Sequence, residues 1–304
     1  FDAHKMGSFP VIGDAKLSLA ALRDRLGAVG YSTSDAFRSD IADARKATLE
    51  VRKHDLQAFP GENMSQAQVI DVLNRTTTNQ DALILGSGGV VEGIHKAWDP
   101  SNGTEIHFEY ANSCMGHEIP AGLGYRIARG DDPGEVYVLI GDGTYFMQPT
   151  ELVTAVQERQ KIITIVIDNR GHQCIWPLQV SKGGPGREFG TQYRERSNES
   201  GRLDGAILEF DIAANAASMG CAAWSTSTIE EFQAALVEAK EAEGPAVIVA
   251  RVEPWRYLSG NGAFWDVGVP MTSQRPGSQE GTAKHLEGRA RQRFYAASTP
   301  PAAR

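Results

Sequence analysis

Four short apolar runs constrain the fold most strongly, because segments with helical periodicity separate them. The runs are DALILG from Asp81, EVYVLIGDG from Glu135, KIITIVIDN from Lys161 and PAVIVARV from Pro245. Strands this apolar are typical of a parallel sheet that is covered on both faces. The alternation therefore predicts an α/β protein built on a doubly wound parallel sheet.

Helix start signals lie between these runs. Ser65 with Gln68, and Thr228 with Glu231, have the spacing of a capping box, in which each side chain accepts a backbone amide of the first turn. Apolar residues recur at helical spacing after both signals. The predicted helices begin after Ser65, span Met115–Ala128, Pro149–Arg159 and Ile212–Met219, and run from Thr228 to Glu241.

The chain divides by composition into four predicted parts. Residues 1–30 read as the end of a middle α/β domain, with a short strand at Phe9–Ile12 and a helix capped by Asp14. Residues 31–64 read as a linker, residues 65–253 as the sheet domain, and residues 254–304 as a C-terminal arm and polar tail. One strand and one helix cannot bury both of their faces, so we expect a longer protein of which this is the C-terminal part.

Composition narrows the function classes. The 304 residues carry a formal net charge of −8 without a basic stripe, which argues against a nucleic-acid partner. No apolar run approaches the roughly 18 residues of a membrane span, and no signal peptide is visible, so we expect a cytoplasmic protein. The three cysteines, Cys114, Cys174 and Cys221, lack the spacing of a zinc site or a disulfide framework.

Polar groups follow two neighbouring strands of the predicted sheet. Asp142 comes directly after one apolar run, and Asn169 and Gly171 follow the next. Because parallel strands end at one edge, the carboxylate, the amide oxygen and the Gly171 carbonyl are expected to lie together and to suit Mg²⁺. Gly143 and Thr144 would offer amides and a hydroxyl to a phosphate. The alternative is a capped turn followed by an ordinary loop asparagine.

This arrangement resembles the cofactor motif of thiamine diphosphate (ThDP)-dependent enzymes, GDG followed after some two dozen residues by Asn-Asn. Here 24 residues separate Gly143 from the pair Asp168-Asn169. The resemblance implies that Asp142, Asn169 and the Gly171 carbonyl bind Mg²⁺ and that the GDG loop, Gly141 to Thr144, holds the diphosphate. Asp168 departs from the usual first asparagine, a position that is not itself a metal ligand.

Two upstream segments resemble further parts of that family. SCMGHEIPAGLG, from Ser113, resembles the family segment whose methionine supports the bent conformation of the cofactor. The resemblance implies this role for Met115. The alternative is a buried methionine at a helix start. LGSGGVVEG, from Leu85, resembles a diphosphate loop with Ser87, Gly88 and Gly89 as contacts. Read as a dinucleotide loop, its glycines miss the third position of GxGxxG.

Extended motifs resemble one group within the family, the carbon–carbon hydrolases that open the ring of a cyclic 1,2-dione in inositol breakdown. These motifs include WDPSNGTEIHFEYANSCMGHEI and FGTQYRERSNESGRLDG. Where that group usually reads GFGCINNLQ, this chain reads GHQCIWPLQ from Gly171. His172 and Gln173 are therefore candidates for orienting water or substrate, and an exposed loop histidine without a task is the alternative.

The resemblance also implies what these residues lack. The glutamate that contacts the cofactor's pyrimidine ring belongs to an N-terminal pyrimidine-binding domain, usually of a neighbouring subunit, so we expect a homodimer or homotetramer. Flavin (FAD) binding by the middle domain is not readable here. Two alternatives stay open: another ThDP enzyme, such as an acetolactate-forming synthase or a 2-oxo acid decarboxylase, and a non-catalytic fragment that binds only Mg²⁺ and diphosphate.

Overall fold

The structure, a computed structural model, divides the chain into two units. By their internal contacts these are Phe1–Leu49 with Phe264–Arg304, and Glu50–Ala263. The predicted domain limits stay predictions. The residues that the structure describes are 9–58, 61, 63–109, 111–183, 190–254, 256, 258 and 271–291, so much of the expected C-terminal arm lies outside them.

The helices of the described residues have definite bounds. Asp14 caps the first of them as predicted, since its side chain accepts the Leu17 amide at 2.9 Å. In chain order the helices are α1 (Ala15–Ala28), α2 (Asp35–Asp55), α3 (Gln66–Thr76), α4 (Gly89–Ala97), α5 (Glu118–Arg129), α6 (Asp142–Tyr145), α7 (Glu151–Gln157), α8 (Ile175–Gly183), α9 (Ile212–Ser218), α10 (Ile229–Glu241) and α11 (Pro276–Ala290).

One expectation outside the sheet domain was wrong, and the predicted tail contains a helix. Phe9–Ile12 does not form a strand, and Phe9 and Ile12 are 90% and 98% exposed. A strand needs a neighbour for its backbone groups, and the described residues provide none here. The polar stretch expected as a tail contains helix α11, which starts with a proline at its first turn, where the missing amide costs nothing.

The second unit is built on a six-stranded parallel sheet. Its strands are β1 (Ala82–Leu85), β2 (Glu105–Phe108), β3 (Val136–Gly141), β4 (Ile163–Asp168), β5 (Ala222–Thr226) and β6 (Ala246–Arg251). They lie in the order β2-β1-β3-β4-β6-β5, and every neighbouring pair is parallel. The predicted α/β class and doubly wound parallel sheet are confirmed.

Helices cover both faces of this sheet. One apolar cluster joins α3, α4 and α10 to alternate residues of the strands, and a second joins α5, α7 and α9 to the residues between them. Both predicted capping boxes are present, at Ser65 with Gln68 and at Thr228 with Glu231. Among the described residues, no helix has the length and apolar character needed to cross a membrane.

Candidate active site

The site lies at the carboxyl edge of the sheet, between its two central strands. Gly141 at the end of β3 pairs with Ile167 near the end of β4, so the loops that follow these strands are neighbours. Asp142 starts the short helix α6, and Asn169 starts the loop that leads to α8. The topology therefore brings together the polar groups that the sequence placed on different strands.

Asp142 connects the two loops through its carboxylate. Its side chain is buried, and its Oδ1 accepts the Gly143 amide at 2.6 Å while its Oδ2 accepts the Gly171 amide at 2.9 Å. Hydrogen bonds from backbone amides to a charged group are among the stronger ones in proteins. Asp142 thus holds the GDG turn and the Asn169–Gly171 turn in one arrangement.

The charges at this edge favour a cation. Burial, and next the nearby Asp168, raise the pKa of Asp142 well above its ordinary value. Burial also raises the pKa of Asp168, although Arg251 Nε lies 3.6 Å from its Oδ2. Two buried carboxyl groups side by side are costly as anions, and a divalent ion offsets that cost.

The side chain of Asn169 supplies the clearest test of whether a metal fits. Its Oδ1 is buried and has no hydrogen-bond partner within the described part of the chain. Buried amide oxygens are nearly always paired, so an orphan beside a buried carboxylate indicates a ligand. The donor set of carboxylate, amide oxygen and backbone carbonyl matches the hard oxygen ligands of Mg²⁺.

Gly171 adopts a backbone conformation that other residues rarely take. Its φ is +140°, and a Cβ at this position would lie 2.4 Å from the Thr191 carbonyl oxygen. This close approach belongs to the bridge between Gly171 and Gln192. Its carbonyl oxygen accepts the Gln173 amide at 2.9 Å and retains a second lone pair for a ligand.

The predicted diphosphate loop lies across the cavity from Asp142. Gly88 has φ +83° and directly precedes α4, and a Cβ on Gly88 or Gly89 would meet no atom within 4 Å. The Ser87 hydroxyl lies 3.0 Å from that of Ser113. Open space beside small residues at the start of a helix suits a phosphate, which needs close approach to backbone amides.

A single cavity of about 170 Å³ joins all the predicted site residues. They surround it from three directions: the loop after β1, the segment before α5, and the loops after β3 and β4. It is lined by Ser87, Gly88, Gly89, Met115, Gly141, Asp142, Gly143, Thr144, Asn169, Gly171, His172 and Gln173. The structure brings these residues together, and their individual roles stay predictions.

The cavity also includes residues that sequence reasoning missed, namely Val90, Ser113, Cys174 and Ile175. Ser113 has φ +51° and hydrogen-bonds to Ser87, so it belongs to the site as much as its motif neighbour Met115 does. Its position two residues before Met115 in the quoted motif was the available signal. The others are apolar or thiol side chains next to predicted positions and carry no pattern of their own.

Met115 is 41% exposed and borders the cavity, so the alternative of an ordinary buried methionine was wrong. The segment before it is held by Glu109, whose carboxylate accepts the amides of Asn112 at 3.2 Å and Cys114 at 2.7 Å. The Cys114 amide is the main cause that lowers the pKa of Glu109. An apolar side chain is therefore presented at the cavity from an ordered turn.

The divergent pair His172 and Gln173 occupies two different environments. The His172 ring packs over the GDG turn, since a Cβ on Gly143 would lie 2.6 Å from its Nδ1, and it meets the Tyr193 ring edge-on at 6.2 Å. Gln173 is 4% exposed, and its Nε2 donates to the Asn169 carbonyl oxygen at 3.0 Å. The exposed-loop alternative therefore does not describe this segment.

Comparison with known proteins agrees with this geometry. The family model described as "Thiamine pyrophosphate enzyme, C-terminal TPP binding domain" matches residues 87–250. Proteins named 3D-(3,5/4)-trihydroxycyclohexane-1,2-dione hydrolase from Bacillus cereus (strain AH820) and Bacillus anthracis (strain CDC 684 / NRRL 3495) are each 35% identical over 304 residues, 92% of this chain and 46% of theirs. The chain thus spans about half the length of these curated relatives.

Solved structures share the fold. A thiamine diphosphate-dependent 4-hydroxybenzoylformate decarboxylase from Rhodococcus jostii RHA1 matches with a TM-score of 0.54 and 20% identity over 64% of this chain and 34% of its own. The benzoylformate decarboxylase from Polynucleobacter necessarius matches with a TM-score of 0.51 and 20% identity, over 64% and 33%. The chain belongs to the thiamine pyrophosphate enzyme family and carries its C-terminal TPP binding domain.

Proposed function

We propose that this protein is a ThDP- and Mg²⁺-dependent hydrolase that opens the ring of a cyclic 1,2-dione. The names of relatives that match 92% of the chain support this substrate class. The observation that carries the cofactor assignment is the orphaned Asn169 Oδ1 beside the buried carboxylate of Asp142, at the edge where the predicted phosphate loop also ends.

In the proposed complex, this chain holds the diphosphate half of the cofactor. Asp142, Asn169 and the Gly171 carbonyl would bind Mg²⁺. The remaining contacts would come from small residues and one apolar side chain. Ser87, Gly88, Gly89, Gly141, Gly143 and Thr144 would face the diphosphate, and Met115 would face the thiazolium ring. Bound ThDP supplies a carbanion nucleophile and an electron sink, chemistry that protein side chains lack.

The proposed reaction converts trihydroxycyclohexane-1,2-dione to 5-deoxyglucuronate, a step of inositol catabolism. Hydrolysis breaks the bond between the two carbonyl carbons; one carbon gains a hydroxyl and becomes a carboxylic acid, and the other gains hydrogen and becomes an aldehyde. One water is consumed, no CO₂ is released, and no external oxidant or reductant is needed.

His172 and Gln173 are the residues of this chain proposed to orient substrate or water. The His172 ring borders the cavity and lies over Gly143. Gln173 fixes the backbone of Asn169, so its effect on substrate would pass through the metal loop. A donor placed at a developing oxyanion typically contributes about 10²-fold or more to turnover.

Product analysis in ¹⁸O-labelled water tests the proposal on the protein assembled with its pyrimidine-binding part, ThDP and Mg²⁺. The expected result is consumption of the dione, at least one ¹⁸O atom in the product carboxylate and no CO₂. Release of CO₂ from a 2-oxo acid, or acetolactate formed from pyruvate, would assign the protein to a different branch of the family. ThDP binding without any turnover would support the non-catalytic alternative.

A further inference from the structure

A buried glutamate outside the cavity supports the predicted diphosphate loop. Glu118 is the first residue of α5, and its side chain is fully buried. Its Oε1 accepts the backbone amide of Ser87 at 3.1 Å. Glutamate is almost never fully buried without a partner, so this contact calls for a physical explanation.

The loop is shaped around this carboxyl group. A Cβ on Gly86 would lie 2.9 Å from Glu118 Cδ and 3.0 Å from its Oε1, so only glycine leaves room for the side chain. Gly86 and Ser87 thus lie directly against the carboxyl. The next residue, Gly88, starts the open stretch that faces the cavity.

The second carboxyl oxygen of Glu118 indicates how a buried acid is accommodated at this position. Oε2 is buried and has no hydrogen-bond partner in the part of the chain that the structure describes. Burial raises the pKa of Glu118 to about 7, against the lowering effect of the backbone amides of Glu118 itself, Ser87 and Gly116. A carboxyl with a raised pKa can accept the Ser87 amide and carries less negative charge near neutral pH than an ordinary glutamate.

The same residue joins both upstream cofactor segments. Glu118 belongs to the segment that carries Met115, and its carboxyl accepts the amide of Ser87 in the loop after β1. Those segments also meet at the cavity through the hydroxyls of Ser87 and Ser113. The two segments are therefore connected twice: by the buried Glu118 carboxyl, which does not line the cavity, and by the Ser87 and Ser113 hydroxyls, which do.

We propose that Glu118 is a positioning residue for the diphosphate, holding the Gly86–Gly89 loop in the conformation that presents its amides and the Ser87 hydroxyl to the cavity. This inference rests on the proposed cofactor site but concerns the loop itself. It predicts that the loop loses order when the acceptor is removed, whether or not cofactor is present.

The test uses the protein assembled with its pyrimidine-binding part and compares Glu118→Ala with Glu118→Gln. Amide hydrogen exchange of residues 86–89 is measured without cofactor, and ThDP affinity is measured by calorimetry at saturating Mg²⁺. Glu118→Ala should exchange about tenfold faster in this loop and bind ThDP about tenfold more weakly, since a buried donor loses its acceptor. Glu118→Gln keeps an acceptor oxygen and should restore both values to within about threefold of the wild type.

Asp81→Ala is the matched control. Asp81 is also a buried carboxylate that accepts backbone amides, of Thr78 and Glu135 at 2.8 Å each, but it lies at the opposite edge of the sheet. It should lower stability without changing exchange at residues 86–89 or the ThDP affinity. Equal changes of exchange and ThDP affinity in Asp81→Ala and Glu118→Ala would show that the effect is general destabilisation. That result would overturn the inference.

Gly86→Ala provides a second route if Glu118→Ala does not fold. Its added Cβ pushes the carboxyl away from Ser87 while the glutamate volume stays, so it should reproduce the faster exchange and weaker binding. Unchanged exchange in a folded Glu118→Ala or Gly86→Ala variant overturns the positioning role. Absence of ThDP binding by the wild type contradicts the proposed function instead, and the exchange measurement still decides the role of Glu118.

Discussion

At the scale of single residues, two buried acids behave differently. Asp142 and Glu118 both accept backbone amides from loops at the cavity, but Asp142 also lies in the loop pair that holds the orphaned amide oxygen of Asn169. A bound cation would therefore stabilise the buried charge of Asp142, whereas a proton is enough to neutralise the buried carboxyl of Glu118. The sequence alone does not distinguish an acid that binds a metal ion from an acid that holds a loop. The neighbouring groups in the structure make this distinction.

The first prediction concerns Asp142→Asn. The substitution leaves one backbone amide without its acceptor, at a cost of about 1–3 kcal/mol, but it also removes a buried charge beside Asp168, so the stability of the cofactor-free chain should change little. Mg²⁺-dependent ThDP binding should fall by more than about 100-fold, because loss of one member of a buried ion contact costs roughly 3–5 kcal/mol.

Calorimetry and thermal unfolding measure the two effects separately. Asp168→Asn is the control, since it restores the asparagine usual in the family motif and alters a partly exposed contact with Arg251. It should keep the ThDP affinity within about fivefold. Unchanged affinity in Asp142→Asn would refute the metal assignment.

The second prediction separates His172 from Gln173. His172→Phe should alter turnover or substrate preference and leave ThDP affinity nearly unchanged, because phenylalanine keeps a ring over Gly143 and loses only the polar nitrogens. Gln173→Gly should weaken cofactor binding as well, since it removes the donor to the Asn169 carbonyl oxygen. Steady-state kinetics beside calorimetry distinguishes the two, and parallel losses in both variants would show a purely structural loop.

The third prediction is a pH dependence caused by Glu118. Its pKa is about 7 in the folded chain and 4.5 ordinarily, so the folded state binds the proton more tightly. Stability from this group is therefore greatest at low pH and is lost as the pH rises from about 4.5 to about 7. The free energy of unfolding, wild type minus Glu118→Gln, should fall by roughly 3 kcal/mol between pH 5 and pH 8. A flat difference in denaturant titrations would show that the carboxyl stays ionised.

At the scale of elements, burial decides which strands a sequence reveals. The central strands β1, β3, β4 and β6 were predicted because both faces are buried and most of their residues are apolar. The edge strands β2 and β5 were missed because they are only partly buried, and EIHF and AAWST lack an apolar run. Register and strand order needed the structure.

The residues of the candidate site also divide into those that the sequence predicts and those that require the structure. Asp142 and Asn169 could be predicted from the ends of apolar runs, because parallel topology brings such ends together. Glu118 could not, since one acid at the start of a helix is ordinary and its meaning depends on Ser87 and Gly86 lying above it. Gln173 was recognised by its departure from the family motif, but its hydrogen bond to the Asn169 backbone required coordinates.

The fourth prediction tests an element away from the cavity. In α10 the Thr228 hydroxyl accepts the Glu231 amide at 3.2 Å, and Glu231 in turn accepts the Thr228 amide at 3.3 Å. Thr228→Ala should destabilise the chain by about 1 kcal/mol, and Thr228→Ser should recover most of the loss. Chemical denaturation measures this change, and the ThDP affinity of the folded variants should not move. An altered ThDP affinity would show that α10 influences the cofactor site.

At the scale of the whole molecule, the cavity is smaller than a complete cofactor site. Its volume of about 170 Å³ is below the range of about 300–1,000 Å³ found for ligand pockets. Met115, Phe146, Met147 and Ile175 are also large apolar side chains with more than two-fifths of their surface exposed. We propose that these exposed side chains contact the part of the protein that the curated relatives contain and this chain does not, since those relatives are about twice as long.

The fifth prediction is that the chain from Phe1 to Arg304, expressed alone, binds Mg²⁺ and ThDP weakly and does not open the dione ring. Its described residues place polar groups around the diphosphate only, and the family resemblance assigns the pyrimidine contact to another domain. Adding in trans the part of the Bacillus cereus relative that this chain does not cover should restore turnover, tighten ThDP binding and form an assembly measurable by sedimentation. The Asp142→Asn chain should associate equally well and remain inactive. Robust ring opening by the isolated chain would mean that the catalytic carboxylate lies within these 304 residues.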